Sequence, residues 1–227
     1  MGAALPPASG SWLYSGKRQL DGLRDAALGL PELLLEVAEL AGANAAVSAA
    51  CASRAWRSFT GDGCREDPYV FVCGGVDPVI GDSNHVECLN LQRRRWEPMP
   101  SMQTSRSGAA GAALKGKIYV CGGRLGGVPL QAVESFDPLT GQWSPGPPLL
   151  EAREGAAAAV CGAGLRIFGG LGGAVHLLTA EELGSAHEWQ RLPDMPAAHT
   201  AAAACGLAGR AFVCGGFDGS SWLARVD

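Results

Sequence analysis

A basic excess, a long apolar run and a paired cysteine motif are all missing from this 227-residue sequence, and each absence removes a class of function. Lys and Arg number 18 against 22 Asp and Glu, a net charge of −4, so no positive field is available to hold a phosphate backbone and nucleic acid is not expected as a partner. No apolar stretch approaches the ~20 residues needed to cross a bilayer, and the N-terminal segment lacks the continuous apolar core of a secretory signal. A membrane partner is therefore not expected, and the anticipated location is cytoplasmic or nuclear. Met1-Gly2 opens like a myristoylation signal, but Pro6 stands where that signal needs Ser or Thr. The eight cysteines, Cys51, Cys64, Cys73, Cys88, Cys121, Cys161, Cys205 and Cys214, never form C-x-x-C, which argues against a zinc site. Nucleophile elbow, Walker loop, H-E-x-x-H and dinucleotide fingerprint are missing too, and the four histidines are scattered. No catalytic residue, metal or cofactor is assigned, and the chain is expected not to be an enzyme.

What the sequence does have is glycine. There are 33 glycines and 14 prolines beside 47% apolar residues, which points to a packed core built from short strands and tight turns. The glycines are ordered. Cys73-Gly74-Gly75, Cys121-Gly122-Gly123, Phe168-Gly169-Gly170 and Cys214-Gly215-Gly216 recur at a nearly constant spacing of about 47 residues. Trp96, Trp143 and Trp189 follow Gly74, Gly122 and Gly169 at almost the same distance in each unit, so two markers share one period. The cysteines ahead of the glycine pairs lie in apolar runs, where a thiol serves as a small core side chain.

Each unit reads as four strands. An apolar first strand, such as Gly108 to Leu114, meets a glycine turn and a second strand such as Ile118-Tyr119-Val120-Cys121. The second strands are apolar on nearly every residue, and a strand apolar on both faces has to be covered on both. Sheets stacked face to face around an axis do this. A third strand, Val133 to Pro138, a Leu139-Thr140-Gly141 hairpin and a fourth strand carrying the tryptophan complete the unit. The tryptophans are expected to be equivalent and buried. The third unit departs most, with Leu177 to Leu183 in place of the acidic-aromatic strand and Arg166 inside the second strand.

Glycine pair, acidic-aromatic strand, D-P-x-T-G hairpin, tryptophan and Pro-x-Met-Pro together resemble the kelch motif. The resemblance covers residues 69 to 227 and implies a mainly β fold of kelch-type β-propeller blades, preceded by a short α-helical segment. About three and a half blades are present. Asp227 aligns with Glu134, in mid-blade, so the propeller reads as incomplete and truncated, with a first unit whose initial strand would come from the far terminus. Some kelch-like propellers are sugar oxidases or epimerases. A copper radical oxidase would need tyrosine, cysteine and paired histidines, and the chain holds only Tyr14, Tyr69 and Tyr119.

Residues 1–29 are expected to be poorly ordered, and 30–60 to be helical. Leu30, Leu33, Leu34, Val37 and Leu40 fall on one face with Pro31 in the first turn, and Asn44 can cap a second helix running through Val47, Cys51 and Ala55 to Trp56. Leu30-Pro31-Glu32-Leu33-Leu34 resembles the opening of an F-box, and Cys51-Ala52-Ser53-Arg54-Ala55-Trp56-Arg57 its close. The alanine-rich middle departs from that family. The resemblance implies that Leu30, Pro31, Leu34, Val37 and Trp56 bind a Skp-type adaptor and, through it, a cullin. A hairpin capping the propeller is the other reading of these residues.

Arg106, Arg153 and His199 stand at one fixed distance ahead of Gly122, Gly169 and Gly215, the first members of the next glycine pairs. In kelch proteins that bind acidic peptides, arginines so placed line the channel mouth, and they also serve to tie blades together. Target contacts are expected there, on the loops after each glycine pair, with Asp77, Arg124 and Asp218 among the candidates, and on the loops after each tryptophan strand. The functional expectation is a protein-binding module, the substrate receptor of a cullin-type ubiquitin ligase, holding a protein substrate or peptide. A kelch scaffold without a ligase link is the alternative, and a propeller enzyme stands third.

Overall fold

The structure is a computed structural model, and it describes residues 50–57, 66–90 and 93–227, all within the compact unit Val47–Asp227. The first blade comprises β1 (Ala50–Arg57), β2 (Glu66–Cys73), the two-residue pair β3 (Val76–Asp77) and β4 (Gly81–Asp82), β5 (Val86–Asn90) and β6 (Arg95–Met99). The second comprises β7 (Ala110–Leu114), β8 (Lys117–Cys121), β9 (Arg124–Leu125), β10 (Val128–Pro129), β11 (Val133–Asp137) and β12 (Gln142–Pro145). The third repeats the plan with β13 (Ala157–Cys161), β14 (Gly164–Phe168), β15 (Leu171–Gly172), β16 (Val175–His176), β17 (Ala180–Leu183) and β18 (Trp189–Leu192). A fourth sheet has β19 (Ala203–Leu207) and β20 (Arg210–Cys214), with a bridge from Cys214 to Val226 where a third strand would begin.

Sheet orders are β1-β2-β5-β6, β7-β8-β11-β12, β13-β14-β17-β18 and β19-β20, antiparallel throughout. This is a meander repeated at the glycine period. In each of the first three blades a small two-residue hairpin lies between the second and third main strands, just after the glycine pair.

The doubly apolar second strands find cover on both faces. From β8, Ile118 and Val120 join Phe71, Met102 and Phe136 in one cluster between the first two blades. Tyr119 and Cys121 join Leu165, Ile167, Leu183 and Trp189 in the next. Alternation along one strand therefore serves two seams, as a stack of sheets requires. The first strands are alanine-rich because they are crowded: a Cβ on Gly206 of β19 would fall almost onto the carbonyl oxygen of Val160 in β13.

Two expectations need correction. Ala50–Arg57 are strand β1 rather than the end of a helix, pairing Ala50 with Val72 and Arg57 with Glu66, with a register shift between Ser53 and Trp56. The first sheet thus takes its initial strand from residues directly upstream. Ala50, Cys51, Ala52 and Ser53 are as small as the residues that open β7 and β13, and alanine's helix preference is a weak prior that strand pairing overrides. The expected helix over residues 30–49, and 58–60, lie outside the described residues.

The third blade's departures fold in register. Leu183 faces Trp189 as Phe136 faces Trp143 and Leu89 faces Trp96. Arg166 lies opposite Glu182 and its Nε donates to Oε1 at 2.9 Å, which lets a charge sit in a strand otherwise buried.

Candidate functional site

Arg106 belongs to two blades at once. Its carbonyl accepts the Gly75 N–H of the first blade at 2.9 Å, and its own N–H donates to the Ser83 carbonyl at 2.8 Å. Its guanidinium reaches the second blade, where Nη1 donates to the carbonyls of Gly122 and Ala132, both at 2.8 Å, and Nη2 to Glu134 Oε1 at 2.6 Å. Glu134 in turn accepts the N–H groups of Gln103 and Thr104 at 2.7 and 3.1 Å.

The same module recurs one period on. Gly123 donates to the Arg153 carbonyl at 2.9 Å, while Arg153 donates to Gly169 at 2.6 Å, Thr179 at 3.1 Å and Glu181 at 2.5 Å. Glu181 accepts from Leu150 and Glu151 at 2.7 and 3.2 Å. In the third copy Gly170 donates to the His199 carbonyl at 2.8 Å, and the imidazole bonds Gly215 O at 2.7 Å and Asp227 Oδ2 at 2.8 Å. Arg106, Arg153 and His199 are 0%, 1% and 0% exposed. Of the two roles offered for them, lining a channel mouth or tying blades together, the geometry favours the second: each is sealed in the frame, where burial without these partners would be prohibitive. The signal missed in the sequence was a second constant spacing, the one that separates Arg106 from Glu134, Arg153 from Glu181 and His199 from Asp227.

Two of the repeat tryptophans also span a seam. Trp143 Nε1 donates to the Pro100 carbonyl at 2.7 Å and Trp189 Nε1 to the Pro147 carbonyl at 2.8 Å, in each case just past the preceding blade's tryptophan. Trp96 Nε1 is buried without a partner. Only Trp189 is buried as a residue, at 6% exposure, while Trp96 and Trp143 are half-buried at the blade's rim, which corrects the expectation of uniform burial.

The hairpins after the glycine pairs lie on one face. Antiparallel bridges Ser107 to Arg124, Glu154 to Leu171 and Thr200 to Phe217 tie each interblade connection to the hairpin of the blade it enters. Neighbouring hairpins also touch: Gly126 N–H donates to Asp82 at 2.8 Å, and the His176 and Phe217 rings are 5.3 Å apart, with Trp222 5.4 Å beyond. Asp77 accepts the N–H groups of Val79 and Ile80 at 2.7 and 3.0 Å, and these bonds hold its carboxyl below the usual range. Asp218 does the same with Ser221 and Ser220, both at 2.7 Å, and is held well below that range. Arg124 is half exposed, 3.3 Å from Glu154 and bonded to Ser107 Oγ at 3.2 Å.

These three candidates, Asp77, Arg124 and Asp218, thus share a face, whereas Arg106, Arg153 and His199 do not reach it. Trp56 lies in β1 opposite Asp67. Leu30, Pro31, Leu34 and Val37 are outside the described residues. No group of three or more His, Cys, Asp or Glu arranged to hold a metal occurs among the described residues.

Residues 67–103 and 105–150 match the family model of the Kelch motif. Two kelch motifs therefore lie within residues 67–150. A segment of 76 residues is 37% identical to an F-box/kelch-repeat protein of Arabidopsis thaliana, covering 33% of this chain and 20% of that relative. A segment of 74 residues is 38% identical to Kelch-like protein 30 of Homo sapiens, covering 31% of this chain and 12% of the relative. The match thus spans a fifth or less of these relatives' length. Among solved structures, that of YjhT superposes with a TM-score of 0.56 at 18% identity, over 65% of this chain and 56% of the other. At that identity the likeness bears on the fold alone, and it agrees with the kelch blades described above.

Proposed function

We propose that this kelch chain is the target-holding part of a cullin-type ubiquitin ligase, binding a protein substrate on the face that carries the glycine-pair hairpins. The observation that carries the binding role is a contrast within the repeat. The seam module of glycine, Arg or His and carboxylate is the same in successive blades, while the hairpins on that frame differ in residue and charge. Variation on a fixed scaffold is how recognition is built into repeat folds. No chemistry is assigned to the chain; the buried Arg106, Glu134, Arg153, Glu181 and His199 hold blades together.

The ligase link rests on the Leu30-Pro31 opening and on the F-box/kelch-repeat protein among its relatives. Adaptor contacts fall to Leu30, Pro31, Leu34 and Val37, since Trp56 is committed to β1. That commitment also favours a second reading, a kelch scaffold with no ligase link, because an F-box closing at Trp56 would have to give up the first blade's strand. Pull-down with a Skp-type adaptor decides between them. Capture of the natural chain, lost in a Leu34→Asp, Val37→Asp variant whose blades still melt normally, supports the ligase reading. Failure to capture either leaves the scaffold.

A further inference from the structure

The hairpin face has a chemistry of its own. Val79 is 88% exposed, Ile80 69%, Val128 64%, Val175 62% and Trp222 69%, one or two from each of the four hairpins. Leaving such side chains in water forgoes burial, and a run of them along touching hairpins marks an interaction surface rather than scattered exposure. The unmatched formal charge of the same hairpins is negative. Residues 76–82, 124–129, 171–176 and 217–222 carry Asp77, Asp82 and Asp218, and their one arginine, Arg124, is already matched by Glu154 at 3.3 Å. The aspartates are fixed by main-chain bonds to their own or the neighbouring hairpin, so the negative field is part of the built surface. The hairpins are also chained together, the first to the second by Asp82 and Gly126, the second to the third through Glu154, which meets both Arg124 and Leu171, and the third to the fourth by His176 and Phe217, so the apolar tips form a row and not isolated spots.

We propose that this row binds a protein segment in which large apolar residues alternate with lysine or arginine. The inference rests on the reading of the chain as a protein-binding module, and it names the target's chemistry. Apolar residues of the segment would cover Val79, Ile80, Val128, Val175 and Trp222, and its cations would lie over Asp77, Asp82 and Asp218. An acidic segment would meet three like charges, which opposes docking and slows encounter.

The test uses the full chain and three labelled twelve-residue peptides, read by fluorescence anisotropy. One alternates Leu or Trp with Lys, the second replaces Lys by Glu, and the third replaces the apolar residues by Ser. The Lys-apolar peptide is expected to bind at least ~10-fold tighter than either sister, because both apolar anchors and charge complementarity are required. A Val79→Ser, Val128→Ser, Trp222→Ser variant should lose about 10-fold of that affinity with an unchanged melting temperature, since truncated anchors dominate such interfaces. Trp222→Lys alone provides a second variant should the triple one fold poorly. Equal binding of the Lys and Glu peptides, or undiminished binding by a folded rim variant, would overturn the proposal. So would self-association abolished by the rim substitutions, which would make a second copy the occupant. A protein target held equally well by the rim variant sinks this inference alone and leaves the protein-binding reading in place.

Discussion

Arg153 is as buried as Leu183, at 1% exposure, yet it carries a full charge, and what makes that tolerable is the set of acceptors in Gly169, Thr179, Glu181 and Glu151. Removing it strands Glu181, whose side chain is 2% exposed. Arg153→Ala should therefore cost roughly 3 to 5 kcal/mol in urea unfolding, the range for breaking a buried pair. Arg124→Ala, on the half-exposed Glu154 pair, should cost about 1 kcal/mol or less. Equal losses would mean that the seam arginines are not the frame. Cysteine reactivity separates in the same way. Burial pushes the Cys88 thiol up to about 11, whereas Cys205 is exposed, so alkylation near pH 8 should label Cys205 and spare Cys88 until the chain unfolds. Asp77 and Asp218 give a pH signature. The Ile80 and Val79 N–H groups lower the Asp77 pKa, so its contribution is present above the ordinary carboxylate range and is lost only as pH falls through the depressed value. Lys-peptide binding should accordingly persist somewhat below about pH 4, the unperturbed aspartate region, and loss of binding already at about pH 5 would speak against these carboxylates.

At the scale of elements, the glycine pairs set the spacing between one blade and the next. Gly123 has φ near +90° and a Cβ there would lie 2.6 Å from the Ser107 carbonyl, a main-chain atom that cannot step aside. Gly126, at φ +59°, faces open space. Gly126→Ala should cost about 1 kcal/mol for the left-handed backbone alone. Gly123→Ala should exceed it by about 1 kcal/mol or more, since strain and collision combine. Thermal melting of the pair is the check, and similar melting points would contradict the close-approach account. The sequence made these pairs legible because their period is carried by rare markers, and it made the strand plan legible because doubly apolar strands with only turns between them have no helices to cover them and need sheets on both faces. It hid the strand Ala50–Arg57, because alanine-rich residues fit a helix as well as a crowded inner strand and only the sheet's vacant edge decides. It left the two roles of Arg106 and Arg153, channel mouth or blade tie, undivided for a similar reason. A fixed spacing places a side chain near the glycine pair but says nothing of which way it turns, and the deciding partner, farther along in the third strand, is a glutamate like many others.

For the whole molecule, the blades have two ends that are alike in exposure and different in construction. The glycine-pair hairpins carry Ile80, Val128 and Trp222 at 69%, 64% and 69% exposure. The opposite strand ends carry Leu139 on the Asp137-to-Gly141 turn and Leu207 beside the Ala208-Gly209 turn, at 70% and 66%. Exposure therefore does not distinguish the ends, and only the continuity and charge of the first set mark it as a recognition face. Photo-crosslinking from benzoylphenylalanine at position 80, 128 or 222, compared with position 139 or 207, measures this directly. The account predicts shared crosslinked partners from the first three positions and none of those partners from the last two. Partners crosslinked from 139 and 207 while 80, 128 and 222 stay silent would contradict it.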